Sequence, residues 1–201
     1  MSLRLEEKIF IKDLNIFKFK KWLFANGAKI LYPKRIVNSI YFDNELKMYS
    51  DSIEGTVPRK KIRIRTYDNK NFLDCKKFSK ETKKTYFNCR EKKVKVLPNN
   101  SKLLHLNIYD YDYGVCKPIL NVVYVRSYFK LNDIRITIDE DINYYHIKNR
   151  IISVFGIQDK EKVVELKSTN IHSKDYLMSI IPLPRSRFSK YCRGVELLKI
   201  C

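Results

Sequence analysis

The sequence predicts an α+β protein: an antiparallel, roughly eight-stranded β-barrel tunnel with helices packed outside it. Three observations carry that expectation. Several segments alternate charged with branched apolar residues at period two, the period of a strand with one buried face. The in-phase polar residues are mostly cations: Lys8, Arg63, Arg65, Lys76, Lys84, Arg126 and Arg135, against only four in-phase acids, Glu6, Asp74, Asp139 and Glu165. No internal repeat, low-complexity tract or Gly/Ser linker divides the 201 residues, so one domain is expected over residues 1–201. For any single strand the simpler alternative is an antiparallel sheet whose polar face meets water. Solvated faces normally mix charge signs, however, and a barrel of eight strands has an interior just wide enough for side chains or one small ligand. Cations turned inward would make a bore that needs an anion to offset their repulsion.

The elements follow in order. Arg4–Ile11 alternates with Arg4, Glu6 and Lys8 on one face. Asp13 offers an N-cap and Gly27 a C-cap for a helix over Leu14–Asn26. Ile36–Asp43 reads as a strand and Lys47–Gly55 as a connecting turn region. Arg59–Tyr67 (R-K-K-I-R-I-R-T-Y) alternates most cleanly, with Lys61, Arg63 and Arg65 opposed to Ile62 and Ile64. The isoleucines should face outward under the helices. Asn71–Phe78 and Thr82–Lys92 are the next strands, the first paired in a hairpin across Asp68-Asn69-Lys70. A short helix is expected over Lys102–Ile108. Strands at Ile119–Leu131, Ile134–Asp139 and Lys162–Lys167 follow, then an amphipathic helix at Ser173–Ile181. Arg187–Val195 is a terminal basic segment with Gly194 as a stop.

Composition narrows the partners. Lys and Arg number 41 against 22 Asp and Glu, a formal charge of +19, which favours a polyanion. A general nucleic-acid binder is disfavoured because the cations sit on strand faces interleaved with isoleucine, and no nucleic-acid motif occurs. No apolar run reaches the ~20 residues that span a bilayer, and Met1–Lys12 lacks the core of a signal peptide, so a cytoplasmic chain is expected. The five cysteines are scattered without a C-x-x-C pair and read as free thiols. The three histidines show no metal-ligand spacing.

Eight segments in order resemble one family: Arg4-x-Glu6-x-Lys8, Ser39-Ile-Tyr41-Phe-Asp43, Lys61-Ile-Arg63-Ile-Arg65-x-Tyr67, Phe72-Leu-Asp74-Cys-Lys76, Tyr124-Val-Arg126, Arg135-Ile-Thr137-Ile-Asp139, Val164-Glu165-Leu-Lys167 and Ser189-Lys190-Tyr191-Cys192. Together the segments resemble the polyphosphate polymerase domain of the vacuolar transporter chaperone (VTC) family, within the triphosphate tunnel metalloenzymes. The resemblance implies a CYTH-like barrel that transfers the terminal phosphoryl group of a nucleoside triphosphate, ATP by expectation, to a growing polyphosphate chain. It implies Lys8, Arg63, Arg65, Lys76, Arg126, Arg135, Glu165 and Lys190 as the catalytic set. Lys84, Tyr124, Lys167 and Ser189 would add substrate contacts, Lys84 being preferred over its neighbour Lys83. A divalent metal, Mn²⁺ or Mg²⁺, would be held by Glu165 and Glu6. Two departures stand out. Arg4 replaces the first acid of the E-x-E-x-K pattern of the hydrolase branch, which favours the polymerase-like branch, and Asp74 replaces the usual Glu. No specific nucleic acid is implied, and a separate membrane protein partner and the oligomeric state are left open. A triphosphate or polyphosphate hydrolase in the same tunnel and a non-catalytic polyphosphate-binding module stand as alternatives.

Overall fold

The computed structural model of the chain describes residues 5–67, 76–83, 90–97, 102–168, 175, 176, 179, 181 and 188–200. Strand β1 (Leu5–Lys12) leads directly into helix α1 (Asp13–Ala25), which ends at Gly27 with φ +82°. A left-handed backbone there suits glycine and lets Ala28 N–H bond back to the Leu23 carbonyl at 3.0 Å. Then come β2 (Lys29–Asp43), α2 (Lys47–Glu54), β3 (Arg59–Tyr67), β4 (Lys76–Lys83) and β5 (Arg90–Leu97). A 3-10 turn at Leu103–His105 precedes β6 (Ile108–Asp110), β7 (Gly114–Leu131), β8 (Ile134–Lys148), β9 (Ile151–Ile152), β10 (Ile157–Gln158), β11 (Glu161–Ser168) and the closing helix α3 (Lys190–Leu198).

The main sheet is antiparallel, in the order β1-β11-β8-β7-β2-β3-β4-β5, with β6, β9 and β10 as short additions beside β7 and β8. The eight-stranded antiparallel architecture with outer helices is therefore as expected. Among the described residues no ladder joins β1 to β5, so the sheet is curled but not closed by hydrogen bonds.

Alternation places the core. Ile62 and Ile64 are 0% and 1% exposed and pack in one cluster with Met48 of α2 and with Tyr191, Cys192 and Val195 of α3. Ile134, Ile136 and Ile138 of β8 pack with Val164 and Leu166 of β11 beneath Ile16, Phe19 and Leu23 of α1. The isoleucines do lie under the helices, as the alternation required.

Five expectations change. Lys47–Glu54 is a helix, not a turn region. Its first turn is held by Asp43, whose carboxylate accepts from Met48 N at 3.1 Å and Tyr49 N at 3.1 Å, while the residue at the cap, Leu46, has φ 58° and no cap bond of its own. Of the strands expected at Asn71–Phe78 and Thr82–Lys92, residues 71–75 and 84–89 lie outside the described residues. The described β4 (Lys76–Lys83) runs past Phe78 through Thr82 and Lys83, and the described β5 (Arg90–Leu97) runs past Lys92. The short helix of Lys102–Ile108 is a 3-10 turn leading to β6. The terminal basic segment is α3, with Gly194 buried inside it and not acting as a stop. The expected helix at Ser173–Ile181 lies largely outside the described residues.

Candidate active site

Ladder register brings the charged strand faces together. Lys8 stands opposite Glu165, and Glu6 opposite Lys167, between β1 and β11. Glu165 in turn stands opposite Thr137, and Lys167 opposite Arg135, on β8. Arg126 of β7 is opposite Asp139 of β8. On the other side of the curl, Ser39 is opposite Arg65 and Tyr41 opposite Arg63. Facing residues in a ladder share a face of the sheet, and of these Lys8, Tyr41, Arg63, Arg65, Arg126, Glu165 and Lys167 line one space.

That space is a cavity of about 60 Å³, lined by Lys8, Tyr41, Lys61, Arg63, Arg65, Glu81, Arg126, Glu165, Lys167, Phe188, Ser189 and Lys190. It has room for several water molecules or a small anion. Lys8 belongs to β1 and Glu81 to β4, the seventh strand of the path and six spacings away. In a flat sheet they would lie roughly 29 Å apart at ~4.8 Å per strand. Lining one cavity requires the sheet to curl into a trough, and the segment before α3 completes the wall. Phe188 O accepts from Lys8 Nζ at 3.3 Å, and Ser189 Oγ accepts from Lys61 Nζ at 2.7 Å. Ser189 is also the N-cap of α3, accepting from Cys192 N at 3.3 Å. One residue thus starts the helix and joins it to β3.

Seven lining residues are cations and two are carboxylates. Behind the wall Asp139, fully buried, accepts from Arg126 Nε at 2.5 Å and Nη2 at 2.7 Å, and from Lys190 Nζ at 2.5 Å. Burial alone would raise this carboxyl, but the Arg126 and Lys190 charges overcome it and hold its pKa at about 2. Ser39 Oγ accepts from Arg65 Nε at 3.1 Å, and Glu81 accepts from Arg63 Nη2 at 2.5 Å. The Tyr124 ring is the platform beneath three cations: the Arg65 guanidinium at 6.0 Å, Arg126 at 5.2 Å and Lys190 Nζ at 4.7 Å.

Two phenols register the field of this cluster. Burial pushes Tyr41 and Tyr67 upward, yet the neighbouring arginines win: Tyr41 ends below its ordinary value, and Tyr67 falls to about 8, chiefly through Arg65. The cavity is strongly positive.

The structure thus gathers Lys8, Arg63, Arg65, Arg126, Glu165, Lys167, Ser189 and Lys190 of the expected set around one cavity. Tyr124 lies under the cations and not on the wall, its hydroxyl buried without a hydrogen-bond partner among the described residues. Arg135 is off the cavity wall, stacked on Tyr128 at 5.4 Å. Lys76 begins β4, and its side chain, like that of Glu6, is outside the described set; the register sets Arg65 opposite Lys77. Lys84 and Asp74 lie outside the described residues. The sequence left Lys61 without a role, and Tyr41, Glu81 and Phe188 were missed. Tyr41 stood in plain view in the S-x-Y-F-D segment, whereas Glu81 needed the position of β4.

Which residues could hold a metal follows from the donor set. No group of three or more His, Cys, Asp or Glu exists among the described residues. Glu165 faces the cavity, 6% exposed, near Lys167 Nζ at 3.1 Å and Arg126 Nη2 at 3.7 Å. One such carboxylate fits a hard cation that draws most of its ligands from substrate phosphates, as Mg²⁺ or Mn²⁺ does. It does not fit a metal caged by protein alone.

The site is thus a curled antiparallel sheet around a buried cluster of cations with a carboxylate among them. The chain belongs to the VTC domain family, whose model matches residues 3–199. No curated protein sequence matches the chain. Among solved structures it is similar to a candidate adenylate cyclase from Vibrio parahaemolyticus, at 13% identity and TM-score 0.60, over 97% of this chain and 98% of that one. It is also similar to a candidate adenylyl cyclase from Hippeastrum with a dominant triphosphatase activity, at 13% identity and TM-score 0.58, over 98% and 96%. At that identity the likeness is one of fold. No helix among the described residues is long and apolar enough to cross a membrane.

Proposed function

We propose that this protein is a metal-dependent polyphosphate polymerase, transferring the terminal phosphoryl group of a nucleoside triphosphate, ATP by preference, to the end of an inorganic polyphosphate chain. The observation that carries the reading is the cavity itself: seven cations around two carboxylates, held by buried partners in a VTC-family fold. Phosphoryl transfer asks chiefly for in-line positioning and for stabilisation of charge on the phosphate oxygens. Arg63, Arg65 and Arg126 offer guanidinium forks suited to paired phosphate oxygens, and Lys8, Lys61 and Lys190 compact charges. Ser39, Asp139 and Glu81 fix the orientation of those arginines before substrate arrives. Glu165, with Glu6 as a second donor, would hold the divalent metal, which supplies further neutralisation of phosphate charge when bound. No protein nucleophile is needed, because the attacking oxygen comes from the acceptor phosphate.

The test is the product. Incubation with ATP and Mn²⁺ should build a ladder of polyphosphate on a gel, with ADP released in step. Orthophosphate without a ladder would replace the polymerase by a hydrolase working in the same cavity.

A further inference from the structure

The ladder between β2 and β7 contains an irregularity that the central cavity does not use. Tyr32 stands opposite Tyr128, and Arg35 opposite Arg126. Two residues advance on β7 while three advance on β2, so β2 carries one extra residue, a bulge that includes Pro33. Proline cannot donate to a ladder and is at home in such a bulge. In a regular strand Tyr32 and Arg35, three apart, would point to opposite faces. The bulge puts both on the face of Arg126, which is the cavity face.

The result is an arginine pair on a tyrosine pair. The Arg35 guanidinium lies 5.2 Å from the Tyr32 ring and 5.6 Å from the Tyr128 ring; that of Arg135 lies 6.0 Å and 5.4 Å from the same two. The rings meet edge to face at 5.6 Å. Neither arginine has a carboxylate partner among the described residues, and both Nε groups are buried without a hydrogen-bond acceptor. Buried donors of a charged group without an acceptor are costly, and stacking on a ring, worth roughly 0.5–1 kcal/mol at an exposed site, does not replace one. The pair adjoins the central cavity on both sides: Arg35 is opposite Arg126, and Arg135 is opposite Lys167. Tyr128 is two residues along β7 from Arg126, about 7 Å at the strand rise.

We propose that Arg35, with Arg135 on the Tyr32–Tyr128 platform, forms a second phosphate subsite at the end of the bore, which takes the units of a condensed phosphate chain that extend past the central cavity. The inference rests on the reading of that cavity as a phosphate-chain site and extends it to chain length. A nucleobase is the poorer occupant, since both tyrosine rings already carry guanidinium groups that a stacked base would have to displace. Arg35 then makes no contact with a bare triphosphate and acts only on longer chains.

The experiment is a calorimetric titration of the full chain and of Arg35→Gln with inorganic triphosphate, ATP and linear polyphosphate of several tens of units. The glutamine variant should bind triphosphate and ATP within about twofold of wild type and polyphosphate about tenfold more weakly. Arg35→Lys, which keeps the charge and loses the fork, should lose about threefold for polyphosphate alone and carries the comparison if the glutamine variant does not fold. Equal responses to triphosphate and polyphosphate, or no response, overturn the subsite. A loss confined to ATP also overturns it, assigning Arg35 to the nucleoside. A wild-type chain that binds none of the three ligands overturns the reading of the cavity, a failure distinct from a tight wild type with an indifferent Arg35.

Discussion

Tyr67 shows how single residues respond to the cavity. Its phenol, hydrogen-bonded to Arg65 and near Arg126 and Arg63, has its pKa drawn from 10.0 to about 8. Because the folded value lies below the unfolded one, ionisation favours the fold: the added stability appears as pH rises past about 8 and is complete above 10, and it is absent below 8. A spectrophotometric titration of phenolate should therefore show one early step near pH 8, and Tyr67→Phe should remove it. An anion in the cavity cancels part of the field that causes the shift, so saturating inorganic triphosphate should move the step upward. An unmoved step would place the anion elsewhere. Asp139 follows the same sign at the acid end. Its pKa of about 2 lies below the ordinary 3.8, so the stability it confers is complete above about pH 4 and fades as pH falls through 2.

At the scale of elements, α3 explains why part of the site was hidden in the sequence. R-F-S-K-Y-C-R-G-V looks like a basic tail ended by glycine, since Gly usually breaks or caps a helix. Gly194 is helical for a packing reason: a Cβ there would come within 2.7 Å of Leu120 Cδ2 and 2.7 Å of Tyr144 Cδ1. The absence of a side chain lets α3 lie close on β7 and β8, which sets Ser189 and Lys190 at the cavity. Gly194→Val should cost about 1–3 kcal/mol of overpacking, a fall of roughly 2–10 °C in Tm for a chain of this size. Triphosphate affinity should fall with it as Lys190 moves from Asp139. A Tm equal to wild type would contradict the packing account. Helix α2 was missed for a related reason: its first turn is satisfied by Asp43, upstream of the helix and across a left-handed Leu46, a cap with no local sequence signature. Strand β4 was misplaced because K-K-F-S-K-E-T-K lacks the apolar alternation that located β3. Glu81, the partner of Arg63, was lost with it. The Pro33 bulge likewise turns Arg35 inward against the period-two rule. What alternation could locate, it located well: Arg63 and Arg65 inward, and Ile62 and Ile64 outward.

For the whole molecule, with its formal charge of +19, the curled sheet encloses a part of the excess positive charge in one cavity. Two cations about 6 Å apart repel by on the order of 3 kcal/mol at an effective dielectric near 20, and the cavity gathers seven with two lining carboxylates and Asp139 behind. An anion that binds the folded chain alone stabilises it by about 3 kcal/mol at a hundredfold excess over Kd. The central claim is that these cations form one site for a phosphate chain, with Glu165 serving the metal and not the affinity. Calorimetric titration with inorganic triphosphate in the absence of metal tests it most directly. The account predicts one-to-one binding that weakens with salt, is retained or tightened in Glu165→Gln, and drops by about 1.5–3 kcal/mol, roughly ten- to 150-fold, in Arg63→Ala. Absence of binding by the wild type, or an Arg63→Ala variant that binds as the wild type does, would contradict it.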